Sequence, residues 1–175
     1  IYTFTEGRFR SDGKLAMKAR AIQGAPAPAP IPLAFSEPLQ SGIPSILLLH
    51  DDDLCPETAP LPLDDIVGVA LLNAARLRSK GKVAQGVYEF VAAGLRDAVQ
   101  RLPNGRDIAT CDANANTIVS FAKQYGARRI VYPHAPVGPA HDEISRIESQ
   151  IAKMTDDPRL AMEAGIRLWD ANSWP

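Results

Sequence analysis

Residues 106–139, RDIATCDANANTIVSFAKQYGARRIVYPHAPVGP, decide how the rest of the chain is read. Ile108–Cys111 is a short apolar run, and Asp112–Thr117 is rich in residues that cap helices. Ile118, Phe121, Ala122 and Tyr125 then recur at helical spacing until Gly126 stops the helix, and Ile130–Tyr132 is a second apolar run ending at Pro133. The pattern predicts strand, helix, strand. Two strands joined through one amphipathic helix form a right-handed parallel crossover, so the strand ends beyond Cys111 and Tyr132 point the same way. In open sheets, ligands sit along that shared edge.

Upstream, Ser45–His50 (SILLLH) is apolar without alternation, as expected of a central parallel strand covered on both faces. It runs into Asp51-Asp52-Asp53, and the prolines between Leu54 and Pro62 make the next stretch a loop. Asp65–Leu72 has continuous apolar residues that suit a helix or a buried strand; frequent Val and an internal glycine favour a strand over Ile66–Leu71. A short helical turn is expected at Ala74–Arg78, then a solvated loop at Ser79–Lys82. From Val83 to Leu102, the positions Val87, Phe90, Val91, Leu95, Ala98, Val99 and Leu102 follow the rhythm of an amphipathic helix, ended by Pro103-Asn104-Gly105.

Downstream, Pro139 suits the first turn of a helix from Ala140 to about Met154, with Asp142 and Glu143 near its positive end and Ile144, Ile147 and Ile151 as its buried stripe. Asp156-Asp157-Pro158 breaks it. Arg159–Ala164 reads as a short helix stopped by Gly165, and Ile166–Trp169 as a final strand. The expected fold is α/β, an open, doubly wound, Rossmann-like sheet of five parallel strands near residues 46, 67, 109, 130 and 167. No internal repeat is visible.

Residues 1–44 differ from the rest. Tyr2, Phe4 and Phe9 alternate weakly with polar residues, Ser11-Asp12-Gly13 signals a turn, and Lys14–Ile22 suits two turns of helix. The alternating prolines of residues 23–32 favour an extended, semi-rigid spacer. Residues 1–44 are therefore expected to be an N-terminal arm and proline-rich linker, and residues 45–175 the α/β domain.

Composition narrows the function classes. A length of 175 residues, 46% hydrophobic and 22% charged, is that of one well-cored globular domain. A net charge of -1 gives no overall footprint for wrapping nucleic acid. Cys55 and Cys111 have neither metal-ligand nor disulfide-framework spacing, so free thiols in a reducing compartment are expected. The longest apolar run is too short to span a bilayer and no signal-peptide pattern opens the chain, which points to the cytoplasm. A start at Ile and an end at Trp174-Pro175 suggest a piece of something longer.

In element order the chain resembles the N-terminal α/β domain of the DNA photolyase and cryptochrome family over roughly residues 45–170. SILLLHDDDLCPE occupies the place of that family's first strand and its R-x-D-L-R type segment, with Asp53-Leu54 matching the Asp-Leu. Phe90, Leu95 and Val99 approximate the family's F-x-x-x-x-L-x-x-L helix, and Gly126-Ala127-Arg128-Arg129-Ile130-Val131 matches its Gly-Ala before a strand. Cys55 stands in place of the arginine after the Asp-Leu, and Asn73 stands where an Asp is common. The resemblance implies a domain, not catalytic alone, that packs beside a helical FAD-binding domain of the same protein. The parent would be a deoxyribodipyrimidine photolyase or a photoreceptor, with DNA touched only through the helical domain. An antenna chromophore, when present, lies in the cleft between the two domains.

Candidate cofactor-binding residues lie at the expected strand ends: His50, Asp51, Asp53, Asn73, Asp112 and His134. Carboxylates 51–53 are suited to Mg²⁺ or a ribose hydroxyl, or merely to capping a turn. A haloacid-dehalogenase-like nucleophile would need a D-x-D-x-T/V pattern, which Asp51–Cys55 lacks. His50 and His134 are placed to face each other as acid/base or stacking groups, or to be packed residues. Asp112–Thr117 offers helix amides to an anion, or simply caps. Gly138-Pro139-Ala140 offers the same but matches neither phosphate-loop pattern. His141 is expected to border the same rim, Cys111 to be buried and inert, and Trp169 and Trp174 to pack or form an interface. Two other classes stand beside the family reading: an adenine-nucleotide-binding domain of universal-stress or electron-transfer-flavoprotein type, and a metal-dependent hydrolase using Asp51–Asp53.

Overall fold

Ser45–His50 (β1) explains the architecture, because every residue in it is buried. Ile46 and Leu48 point into one apolar cluster and Leu47 and Leu49 into another, so the strand has a helical layer on each face. The computed structural model describes residues 37–103, 105–154 and 160–167. After β1 come Ile66–Leu72 (β2), helix Gln85–Gln100 (α1), Thr110–Asp112 (β3), helix Ala115–Tyr125 (α2), Arg129–Pro133 (β4), helix Pro139–Met154 (α3) and Ala161–Gly165 (β5). The five strands form one sheet in the order β3-β2-β1-β4-β5, every neighbouring pair parallel.

This is the doubly wound arrangement expected from the alternation of strands and helices. Leu95, Ala98, Val99 and Leu102 cover the β1 face that carries Leu47 and Leu49. α2 (Ile118, Val119, Phe121, Ala122) and α3 (Ile144, Ile147, Ile151) cover the other. The chain winds outward from β1 to β3, then returns to place β4 on β1's free side. The switch point of the sheet is thus between β1 and β4. β1 pairs with β2 through to His50 opposite Leu72, whereas its pairing with β4 covers only Ser45–Leu47 against Arg129–Val131.

Local chemistry accounts for α2. Asn114 is its N-cap, its side chain accepting from the Thr117 amide at 3.0 Å. Gly126 ends it at φ 67°, a left-handed conformation that costs a glycine little. Gly68, the glycine inside β2, has a different reason. A Cβ there would lie 2.5 Å from the Phe121 ring, so α2 approaches the sheet only because that side chain is missing.

Three expectations are corrected. Ala161–Gly165 is a strand, not the end of a short helix, and Ile166 follows the strand instead of opening it. Ala, Met and Glu favour helix in isolation, but the whole segment pairs with β4, from Arg129 opposite Ala161 to Pro133 opposite Gly165, and tertiary pairing overrides the preference. β3 also begins later than its apolar run, at Thr110, with Ile108 packed beneath α1 instead. In α1, Val87 and Phe90 leave the buried stripe; they are 50% and 80% exposed. Residues 1–36 of the expected arm and linker, the break at Asp156-Asp157-Pro158, and Trp169 and Trp174 lie outside the described residues. No helix among the described residues is long and apolar enough to cross a membrane.

Candidate functional site

The carboxyl ends of the strands place His50, Asn73, Asp112 and His134 on one edge, as parallel strands require. Asp51–Asp53 follow β1 directly, in a turn closed by the Asp53 amide donating to the His50 carbonyl at 3.2 Å. The question at this rim is which polar groups remain available to a ligand.

All three aspartates are engaged. Asp51, whose side chain is 2% exposed, accepts the Ala74 amide at 2.9 Å on one oxygen. Its other oxygen accepts Arg78 Nη2 at 3.0 Å and Nε at 3.3 Å. The same Nη2 donates to Asp52 at 2.6 Å. These two carboxylates, Asp52 first, hold the Arg78 guanidinium above its ordinary pKa. Asp53 accepts the Cys55 amide at 3.0 Å and the Nη1 of Arg167. Arg167 itself is buried and also donates to Thr58 Oγ1 at 2.9 Å and to the Cys55 carbonyl at 2.8 Å. One arginine from beyond β2 and another from beyond β5 therefore clasp the acidic turn from either side. Among the described residues, no group of three or more His, Cys, Asp or Glu is arranged to hold a metal ion.

Arg78 and Arg167 are the residues that sequence reading overlooked. The sequence pattern puts Arg78 in a helical turn and Arg167 inside a strand. A signal did exist: three consecutive carboxylates leaving a buried strand need cations nearby, and both arginines follow strands that end on the same edge.

Asn73 is committed as well. Its Oδ1 accepts the Ala75 amide at 3.1 Å, and its Nδ2 donates to the Tyr88 carbonyl at 3.0 Å, which ties the end of β2 to the first turn of α1. Arg76 lies over the Tyr88 ring, 4.3 Å from its centroid, and seals the same corner.

His50 is fully buried at the switch point. Its Nε2 lies 2.9 Å from the Pro133 carbonyl, bridging β1 and β4 where their ladder has stopped, and its Nδ1 has no hydrogen-bond partner. A donor at Nε2 requires the tautomer with an unprotonated Nδ1. Burial pushes the imidazole pKa below its ordinary value, against the weaker opposing effects of the Pro133 hydrogen bond and of Asp53, Asp52 and Asp51. His50 thus pairs with the main chain of β4. The His134 amide continues the sheet by donating to the Gly165 carbonyl at 3.0 Å.

The β3 end is more open. The Asp112 side chain is exposed, while its carbonyl accepts the Asn114 amide at 3.0 Å. The Cys111 thiol is half-buried and pushed up to about 11, by burial first and the Asp112 charge second, so it is a poor nucleophile. Beside the start of α2, an open groove of about 420 Å³ runs past Asn116 to Arg146 and Lys153 of α3. Arg146 is held there by Glu143 at 2.8 Å and Gln150 at 2.9 Å. His141 is exposed on the first turn of α3, 3.6 Å from Asp142.

Fold and rim together define an open, all-parallel α/β domain of Rossmann type whose carboxyl edge is largely satisfied by internal bonds. Compared with protein-family models, curated proteins and solved structures, the chain matches none.

Proposed function

We propose that this chain is the α/β domain of a photolyase- or cryptochrome-like flavoprotein, a domain without catalysis of its own that supports light-dependent DNA repair or photoreception. The likeness in element order supports the reading, and one observation carries its non-catalytic part: the acidic turn after β1 is spent on Arg78, Arg167 and main-chain amides. Carboxylates held this way frame a cleft and leave chemistry to another part of the protein. An antenna chromophore would lie along the crevice beyond β1 and β4, bordered by the His134 segment. FAD belongs, on this reading, to a helical domain of the parent protein, and no residue of this chain is assigned to it. DNA would be contacted through that helical domain.

The parent reading frame is the test. It is expected to encode a helical domain beside this one, and the full-length protein is expected to purify yellow, with flavin absorption. A reading frame without such a domain would overturn the proposal. ATP or AMP retained by the purified chain would make it a nucleotide-binding domain instead. Metal-dependent phosphatase activity lost in Asp51→Ala would make the aspartates catalytic.

A further inference from the structure

The outer face of α1 is where sequence pattern and structure disagree most. Gly86, Phe90, Ala93 and Asp97 recur at i, i+4, i+7 and i+11, all exposed, on the side of the helix opposite Leu95, Ala98 and Val99. Phe90 is 80% exposed, and Val87 on the adjoining flank is 50% exposed. A phenylalanine that fully solvated, flanked along its own helix by glycine and alanine, is a knob beside a shallow hole. On the other flank stand Glu89 and Arg96. Glu89 accepts a hydrogen bond from Gln85 at 3.1 Å; among the described residues it forms no ion pair, and exposed Arg96 has neither a hydrogen-bonding nor an ionic partner.

We propose that this face pairs with the α1 helix of a second copy of the same chain, antiparallel about a two-fold axis. The face is complementary to itself. A two-fold axis perpendicular to an antiparallel helix pair sets the same flank of each helix against itself with the direction reversed. If the axis passes midway between Glu89 and Arg96, each Glu89 lies across from Arg96 of the second copy, so one unlike pair is made twice. In that register Phe90 comes level with the gap between Ala93 and Asp97 of the opposite helix, beside the small Ala93 side chain. A parallel two-fold pairing would instead set the Glu89 and Arg96 flank of each helix against the Val87 flank of the other, where neither charge meets its opposite. The charges thus select the orientation while Phe90 supplies the buried apolar area. A single helix face is a small interface, so the association is reversible and concentration-dependent. The inference does not depend on the light-related reading.

Sedimentation velocity of the 175-residue chain over a range of concentrations tests it, with circular dichroism to confirm that each variant folds. The wild-type chain is expected to shift from monomer to dimer, and Phe90→Glu to weaken the dimer at least roughly tenfold. Glu89→Arg and Arg96→Glu are each expected to weaken self-association, and an equimolar mixture of the two variants to restore a dimer. A chain that stays monomeric at every concentration overturns the proposal. So does a dimer indifferent to Phe90→Glu, or one that both charge reversals leave unchanged.

Discussion

Two acidic segments leave the same edge of the sheet and are treated in opposite ways. Asp51–Asp53 follow a central strand whose residues are all buried, and each carboxylate is taken up by an arginine, an amide or both. Asp112 ends an edge strand of three residues, and its side chain is exposed to water. The difference is one of desolvation. A carboxylate beside the central strands must find partners within the protein, whereas one at the edge is solvated at no cost. Position in the strand order, more than residue type, decides whether an aspartate on such a rim is structural or free.

The largest expected effect comes from removing the clasp. Arg167→Ala leaves Asp53 nearly buried without its cation and strips Thr58 and the Cys55 carbonyl of a donor. The expected loss is about 3–5 kcal/mol in urea unfolding. Asp51→Ala should cost less, about 1–3 kcal/mol by the same measurement, mainly because the buried Ala74 amide loses its acceptor. The Arg78 side of that interaction is partly exposed and adds little. A comparable loss on Asp112→Ala would break the contrast, since an exposed side chain should change stability by less than about 0.5 kcal/mol.

His50 sharpens the comparison through pH. Its folded pKa is depressed, so the unfolded chain binds the proton more readily. The contribution is fully present above the unfolded value of 6.5 and is lost as pH falls below it toward the folded pKa. One such group changes the unfolding free energy by at most about 1.4 kcal/mol per pH unit. His50→Leu should flatten the stability profile just below pH 6.5, and an unchanged profile would show that His50 takes up its proton as readily in the fold as in the unfolded chain.

The parts of this fold that were legible in the sequence are those set by local pattern. Both faces of β1, the caps of α2 at Asn114 and Gly126, and the Ile144, Ile147 and Ile151 stripe of α3 emerge where their periodicity places them. β5 was hidden because its residues favour helix and only its pairing with β4 makes it a strand. Val87 and Phe90 were hidden because helical spacing reports an apolar face without reporting what covers it. At the rim, strand ends were legible and their partners were not. Arg78 lies 27 residues from Asp51, and Arg167 lies 114 from Asp53, distances at which no local pattern reports a contact.

Thermal unfolding with and without Mg²⁺ distinguishes a structural clasp from a metal centre at the Asp51–Asp53 turn. For a clasp, Asp51→Asn lowers the melting temperature and Mg²⁺ leaves the melting temperatures of both proteins unchanged. A wild-type chain stabilised by Mg²⁺, with the gain abolished in Asp51→Asn, would contradict it.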